Sequence, residues 1–317
     1  MQFILMLVVG LFLLMLLSGA YIFRVACCRG KEINWLDERS VSDTPYNEFY
    51  SQIVAADKWL KDNGCVDVFI NGKDGVRLHG LWVSTDHAKG TVILFHGYRS
   101  TYLVDSSMAL EFYHNAGYNL LIPDQRAHGK SGGKYITFGV KESEDVLQWI
   151  GFHNRTFGDD PIVLSGLSMG ASTVMYVADR DLPLNVKGII ADCGFTSPKA
   201  ILGDVYRKVI HLPPILSMWA VDLFARIFAG FSISQKDTRK TLANCKVPVL
   251  MIHGRKDTFV PCKMTEDGFK ACTGRKKLLI VDGADHGVSF IHDRNGYTNA
   301  VFSFLQENVE INNPDGC

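Results

Sequence analysis

The sequence predicts an α/β fold: a mainly parallel sheet with an antiparallel hairpin on its N-terminal side and helices on both faces. Three observations carry that expectation. Six short apolar runs, Val92–Phe95, Tyr118–Ile122, Ile162–Leu164, Val186–Ile190, Val247–Ile252 and Lys277–Val281, are separated for the most part by stretches of helix length. Continuous apolar strands are those buried on both faces, the condition of parallel strands joined by crossover helices. Ahead of them, 65–70 and 76–83 are strand-like and flank Asn71-Gly72-Lys73-Asp74-Gly75, so they read as a hairpin, antiparallel by necessity. The third observation is Gly166-Leu167-Ser168-Met169-Gly170, entered from the run at 162–164 and followed by Ala171, Val174, Met175 and Ala178 at helical spacing. A strand that turns sharply into a helix takes a strained backbone at its tip, and a large residue at either flanking glycine would collide with neighbouring chain. Ser168 is thereby held out at the sheet edge.

Composition narrows the function classes. The 317 residues are 47% hydrophobic and 21% charged, which is globular and ample for one large core. Lys plus Arg (33) balances Asp plus Glu (33), and no basic stretch is interleaved with aromatics, so no nucleic-acid partner is expected. The eight cysteines are scattered without C-x-x-C pairs, so neither a metal site nor a disulfide framework is implied. Cys193, in the apolar run 188–193, reads as a buried reduced thiol. An oxidising compartment would still allow Cys65, Cys245, Cys262 and Cys272 to pair. There are no internal repeats, and nothing in the sequence sets an oligomeric state.

Taken in order, Phe3 to Phe23 is apolar and uncharged up to Arg24, about the ~20 residues that a membrane-spanning helix needs. No Lys or Arg precedes the run, whereas Arg24, Arg29 and Lys31 follow it, so residues 1–24 are expected to be a retained, single-pass transmembrane anchor. The small residues Ser18-Gly19-Ala20 make a cleaved signal segment the alternative. By the positive-inside rule the flanking cations put the C-terminal body on the cytoplasmic side. Residues 25–64 read as a juxtamembrane tether, polar and loop-like through 32–44, and a helix. Asp43 and Thr44 offer its cap, Pro45 suits its first position, Gly64 its stop, and Phe49, Ile53, Ala56 and Leu60 form one face to pack on the body. The main domain is then 65–312. Within it, 197–236 breaks the strand and helix rhythm with an excess of large apolar residues. The segment reads either as ordinary flanking helix or as two helices hinged at Pro213-Pro214, a small lid over a site.

The chemistry follows from the elbow. A serine is a weak nucleophile at neutral pH and needs a base within hydrogen-bond reach and a third group to orient that base. In an open α/β sheet, ligands gather at the carboxyl ends of strands. Asp257 follows the strand at 249–252 and His286 follows the strand at 278–281, so Ser168, Asp257 and His286 are the candidate nucleophile, acid and base. His292 lies further from the strand end, and Asp282 and Asp285 are too close in sequence to His286 to reach it from a separate strand. His96, His128 and His253 each precede a glycine and read as turn-stabilising. The oxyanion of a tetrahedral intermediate needs donors, expected from the backbone N–H of Met169 and, in the loop His96-Gly97-Tyr98-Arg99, from that of Tyr98. Losing one such donor costs about 10²–10³ in turnover.

Over about residues 65–310 the chain resembles the α/β-hydrolase superfamily of serine hydrolases. The resemblance is carried by His96-Gly97-Tyr98, Asp124-Gln125-Arg126-Ala127-His128-Gly129-Lys130-Ser131, Gly166-Leu167-Ser168-Met169-Gly170, His253-Gly254-Arg255-Lys256-Asp257 and Gly283-Ala284-Asp285-His286-Gly287. The order Ser168, Asp257, His286 is that superfamily's nucleophile–acid–base order. The stretch from Asp124 to Ser131 is similar to the branch of small-lid esterases, monoacylglycerol-lipase-like enzymes and membrane-anchored hydrolases, with Asp124 and His128 shaping the loop beneath the site. The resemblance implies the α/β-hydrolase fold with a small helical lid, ester hydrolysis through an acyl-enzyme, and neither cofactor nor metal. Serine at 168 argues against the dehalogenase and epoxide-hydrolase members, and the longer Gly-rich oxyanion loop of some lipases is missing. The expected protein is a membrane-anchored serine esterase acting on hydrophobic or aryl acyl esters, its partners a small-molecule or lipid ester and the membrane. A peptidase or thioesterase using the same residues is the second reading, and a binding module that keeps the fold without the chemistry is the third.

Overall fold

The structure, a computed structural model, describes residues 1–310 except 45 and 108. Pro45 and the last two residues of the expected 65–312 domain therefore lie outside the described residues. In chain order the elements are α1 (Gln2–Cys27), α2 (Glu38–Val41), α3 (Tyr50–Asp62), β1 (Val66–Asn71), β2 (Arg77–Val83), β3 (Thr91–Phe95), α4 (Tyr102–Asp105), α5 (Ala109–Asn115), β4 (Asn119–Pro123), α6 (Glu142–Phe157), β5 (Ile162–Leu167), α7 (Met169–Met175), β6 (Val186–Asp192), α8 (Pro198–Ile210), α9 (Ile215–Phe224), α10 (Thr238–Leu242), β7 (Val249–Gly254), α11 (Lys263–Ala271), β8 (Lys276–Val281), α12 (Ser289–His292) and α13 (Arg294–Leu305).

Among the described residues eight strands form one sheet in the order β1-β2-β4-β3-β5-β6-β7-β8. The hairpin β1–β2 is antiparallel, β2 pairs antiparallel with β4, and every other pair is parallel. The strands that read as unbroken apolar runs are the central ones: β3, β4 and β7 are buried along their whole length, whereas the edge strand β1 is mostly exposed. Alternation along each strand sorts side chains into two cores. Val92, Leu94, Leu120, Ile122, Leu250 and Ile252 pack on one face with α3, α5 and α13. Ile93, Phe95, Leu121, Leu164, Val249 and Met251 pack on the other with α6 and α7. The α/β sheet with an antiparallel edge and helices on both faces is thus the architecture observed.

The segment before the sheet departs from expectation. α3 starts at Tyr50 behind a 3₁₀ turn at Asn47–Phe49, without a side-chain cap, and Phe49 is only half-buried. Thr44 does not cap it: its hydroxyl donates to the Val41 carbonyl and accepts from the Tyr46 N–H, closing a turn instead. Residues 32–44 are not a loose tether either. Asp37 caps the short α2, and Trp35 and Val41 are buried in the α3-side core, with the Trp35 ring edge-on to Tyr46. Two large apolar groups in a polar stretch suffice to pin it down. The end of α3 is as read: Gly64, at φ +65°, takes the left-handed conformation that stops the helix.

Beneath the loop from Asp124 to Ser131, the buried Arg126 is held by carboxylates. Arg126 makes two bonds to Asp145, at 2.7 and 2.6 Å, and a third to Asp74 at 2.8 Å. Burial pushes the Asp145 carboxyl up to about 6, against the pull of the guanidinium. Arg126→Leu leaves that carboxylate buried and alone, so a loss of about 3–5 kcal/mol in unfolding free energy is expected, read by urea denaturation. The seven cysteines among the described residues are free thiols, Cys193 fully buried as expected.

Candidate active site

Sheet register brings the site together. β3 and β5 are parallel neighbours with Phe95 opposite Gly166, so the loop after β3 and the turn after β5 leave the sheet side by side. Ser168 sits at φ 55°, ψ −112°, outside the usual regions for a residue with a side chain, at a cost of about 1–3 kcal/mol. Both glycines of the turn are sterically required. A Cβ at 170 would run into the Phe95 carbonyl, and one at 166 into the backbone of Gly170.

β7 and β8 end in register, Gly254 opposite Val281, and deliver the other two candidates. His286 Nε2 lies 2.9 Å from Ser168 Oγ, and His286 Nδ1 lies 2.7 Å from Asp257 Oδ2. With Nδ1–H given to the carboxylate, the Nε2 lone pair faces the hydroxyl, the tautomer a base requires. Asp257 is fixed by its own loop: Oδ1 accepts the N–H groups of Phe259 and Val260 at 2.9 and 2.7 Å. Burial alone would raise its carboxyl, but hydrogen bonds from His253 and His286 outweigh that and bring it down to about 2.

His253 does more than hold a turn. It is fully buried, its Nδ1 2.7 Å from Thr265 Oγ1 and its Nε2 3.0 Å from both the Val260 carbonyl and Asp257 Oδ2. Its position at the end of β7, four residues before Asp257, was the one signal available in the sequence. His292 is elsewhere, packed on Gly283. Asp285 accepts from the His286 and Thr258 N–H groups and shapes the loop. Asp192, at the end of β6, is buried and pushed up by burial to about 6; its carbonyl takes the Ser168 N–H at 2.8 Å.

On the opposite side of Ser168 stands the loop after β3. A Cβ at Gly97 would lie 3.3 Å from Ser168 Cβ, so the loop backbone touches the serine. The Gly97 N–H goes to Asp105 and the Arg99 N–H to His128 Nε2 at 3.0 Å. No acceptor among the described residues takes the backbone N–H of Tyr98 or of Met169. His128 is nine-tenths or more buried, which pushes it down to about 3, so its neutral Nε2 can accept. Asp124 in turn takes the Lys130 N–H at 2.9 Å and lies 2.7 Å from His79 Nδ1.

The same loop is fastened to α1. The Tyr98 hydroxyl donates to the Ala26 carbonyl at 2.9 Å and its ring stacks on Phe138, while the Arg99 guanidinium binds the carbonyls of Val25 and Cys28. Arg29 binds the carbonyls of Gly129 and Ser131, and the Ile136 N–H binds that of Cys27.

α8 and α9 flank Pro213-Pro214. Ser168 is only 5% exposed, and Met169 shares a buried cluster with Phe195, Tyr206, Met218 and Val221. Many of the insertion's large apolar residues, however, face outward: Val209, Ile210, Leu212, Ile215, Trp219, Leu223, Ile227 and Phe228 are exposed.

The donor set of Cys193, Asp257 and His286, whose ligand atoms lie within 4.8 Å of one another, does not suit a metal ion. His286 already uses both ring nitrogens, and burial pushes the Cys193 thiol well up, keeping it neutral.

Fold and site together define a class: a parallel-sheet hydrolase with a serine on a strained turn after its fifth strand. A family model described as alpha/beta hydrolase fold matches residues 90–216, and a serine hydrolase model (FSH1) matches 163–288. The chain has the α/β-hydrolase fold. It is similar to the Bacillus subtilis protein YqkD, 28% identical over 73% of this chain and 76% of that one. Protein bem46 of Schizosaccharomyces pombe is 26% identical over 74% of this chain and 73% of its own length. Among solved structures, the Pyrococcus furiosus esterase Pf2001 superposes with a TM-score of 0.63 at 26% identity, covering 79% of this chain and 94% of that one.

Proposed function

We propose that the chain is a serine esterase that cleaves carboxylic esters of hydrophobic or aryl acyl groups through an acyl-enzyme. The observation that carries this reading is the continuous chain of hydrogen bonds from Asp257 through His286 to Ser168, 2.7 and 2.9 Å long. Ser168 Oγ attacks the ester carbonyl while His286 Nε2 takes its proton. Asp257 orients the ring and stabilises the imidazolium. The unclaimed N–H groups of Tyr98 and Met169 receive the oxyanion. His286 then protonates the leaving alcohol, and a water activated by the same nitrogen releases the acid and restores the serine. The buried apolar cluster that Met169 shares with Phe195, Tyr206 and Met218 favours an apolar acyl group.

α1 is the membrane anchor in this reading. Its 26 residues span about 39 Å, enough for a bilayer core of about 30 Å, and its first two-thirds are almost wholly exposed. The cations after it place the body on the cytoplasmic side. Residues 197–236 act as the lid.

A fluorophosphonate labels Ser168, and p-nitrophenyl esters are turned over faster than matched aminoacyl amides or thioesters. Amide or thioester turnover exceeding ester turnover moves the assignment to a peptidase or thioesterase. A folded protein that takes no label is a binding module.

A further inference from the structure

α9 is apolar on both its inner and its outer side, with Ser217 and Asp222 as its polar residues. Its inner side, Ser217, Met218, Ala220 and Val221, is buried. On the outer side Ile215, Trp219 and Leu223 recur four residues apart, 79%, 38% and 40% exposed, and Ile227 and Phe228 continue the row into the π turn at Ala225–Ala229. Residues at that spacing share one helix face. An outward apolar stripe of this kind calls for a covering partner.

What lies beside the stripe identifies its partner. α1 packs along α9 at close range. A Cβ at Gly19 would overlap that of Ala220, Ser18 Oγ is 3.0 Å from Ser217 Oγ, and Phe12 stacks on Trp219 with ring centroids 5.3 Å apart. Small residues in close contact and a hydroxyl pair across the seam are how helices associate in lipid. Ser18, Gly19 and Phe23 meet Ser217, Ala220 and Phe224 in rising order, so the two helices run in the same direction. The ten residues of α9 extend about 15 Å, roughly half the depth of a bilayer core, alongside the second half of α1.

We propose that α9 is a second membrane-contacting element, its outer stripe lying among the acyl chains of the bilayer that holds α1. The inference rests on the reading of α1 as a membrane helix, since a helix packed along its flank lies at the same depth. The charges near the stripe fit such a setting. Arg226 is paired with Asp222 at 2.8 Å, so the charges beside the stripe neutralise each other.

The test uses the full chain in phosphatidylcholine vesicles whose acyl chains carry bromine, with the Trp219→Phe protein measured in parallel so that the difference emission belongs to Trp219. Loss of most of that emission to the brominated chains, with none lost to aqueous iodide, is the expected result. Ile215→Asp with Leu223→Asp, which leaves α1 intact, shifts the Trp219 emission to the red and restores it against brominated lipid. Four outcomes overturn the proposal. A protein that resists alkaline carbonate extraction but whose Trp219 is quenched by iodide alone keeps α1 as an anchor and removes α9 from the membrane. Trp219 shielded from both quenchers in a protein that cross-links as a dimer assigns the stripe to a second copy. A double variant whose Trp219 emission is unchanged denies the stripe any lipid contact. Extraction by carbonate removes the anchor reading itself, and α9 with it.

Discussion

Ser168→Ala is expected to lower kcat on a p-nitrophenyl ester by about 10⁴- to 10⁶-fold while leaving the protein folded. The size of the loss comes from the geometry. The Ser168 hydroxyl is the atom to which His286 Nε2 is directed, 2.9 Å away. The neighbouring Cys193 does not replace it, being held as a buried neutral thiol. Stability changes little, because alanine meets the same backbone strain at φ 55° that serine already bears, and the deleted oxygen bonds to no other group among the described residues. The unfolding free energy should stay within about 1 kcal/mol of the parent. Residual turnover within tenfold of the parent would remove Ser168 from the reaction.

Asp257→Asn should cost nearly as much, about 10⁴-fold in kcat, for a different reason. The carboxylate is surrounded by donors: the Phe259 and Val260 N–H groups on Oδ1, and His286 Nδ1 and His253 Nε2 on Oδ2. The asparagine oxygen can keep the two backbone donors, which turns the amide NH₂ toward His286. That contact is satisfied only if Nδ1 becomes the acceptor and the proton moves to Nε2, where it blocks deprotonation of Ser168. The same substitution carries a stability signature. Because the folded carboxyl is brought down to about 2, its stabilising contribution is complete above the ordinary carboxylate value near about 4 and is lost as pH falls through about 2. The asparagine protein therefore lacks that part of the acid transition, which a pH series of thermal melts reads directly. An acid transition identical to the parent's would mean that the buried carboxylate is not ionised in the fold.

How much of this was legible depends on which interactions write themselves into local sequence. Strands such as 91–95 and 249–254 were readable because burial on both faces demands unbroken apolar runs, and the turn at 166–170 because two close backbone approaches admit only glycine. Asp257 and His286 stood out by lying just past strand ends. The start of α3 was not readable: the polar residues at 43–44 resemble a helix cap, but they close a turn that Trp35 and Tyr46 draw onto the core. Pairing between distant segments leaves no periodic trace, so Trp35 and Val41 looked like parts of a tether. His253 looked like a loop residue because its bond to Asp257 depends on the path of the chain between them. The outward stripe on α9 was hidden for a related reason. Composition marks 197–236 as apolar, but only the fold decides which side of each helix the sheet claims.

The fastening of the loop after β3 bears on how the protein is handled at the bench. Removing residues 1–28 to gain solubility would also strip away the carbonyls of Val25, Ala26 and Cys28, to which Tyr98 and Arg99 are moored. Such a truncated version would leave a phenol and a guanidinium without acceptors beside Gly97, and the backbone that touches Ser168 would drift. Weak turnover by a clipped preparation would then measure that slack rather than the capacity of the intact chain, which calls for detergent or nanodiscs from the outset.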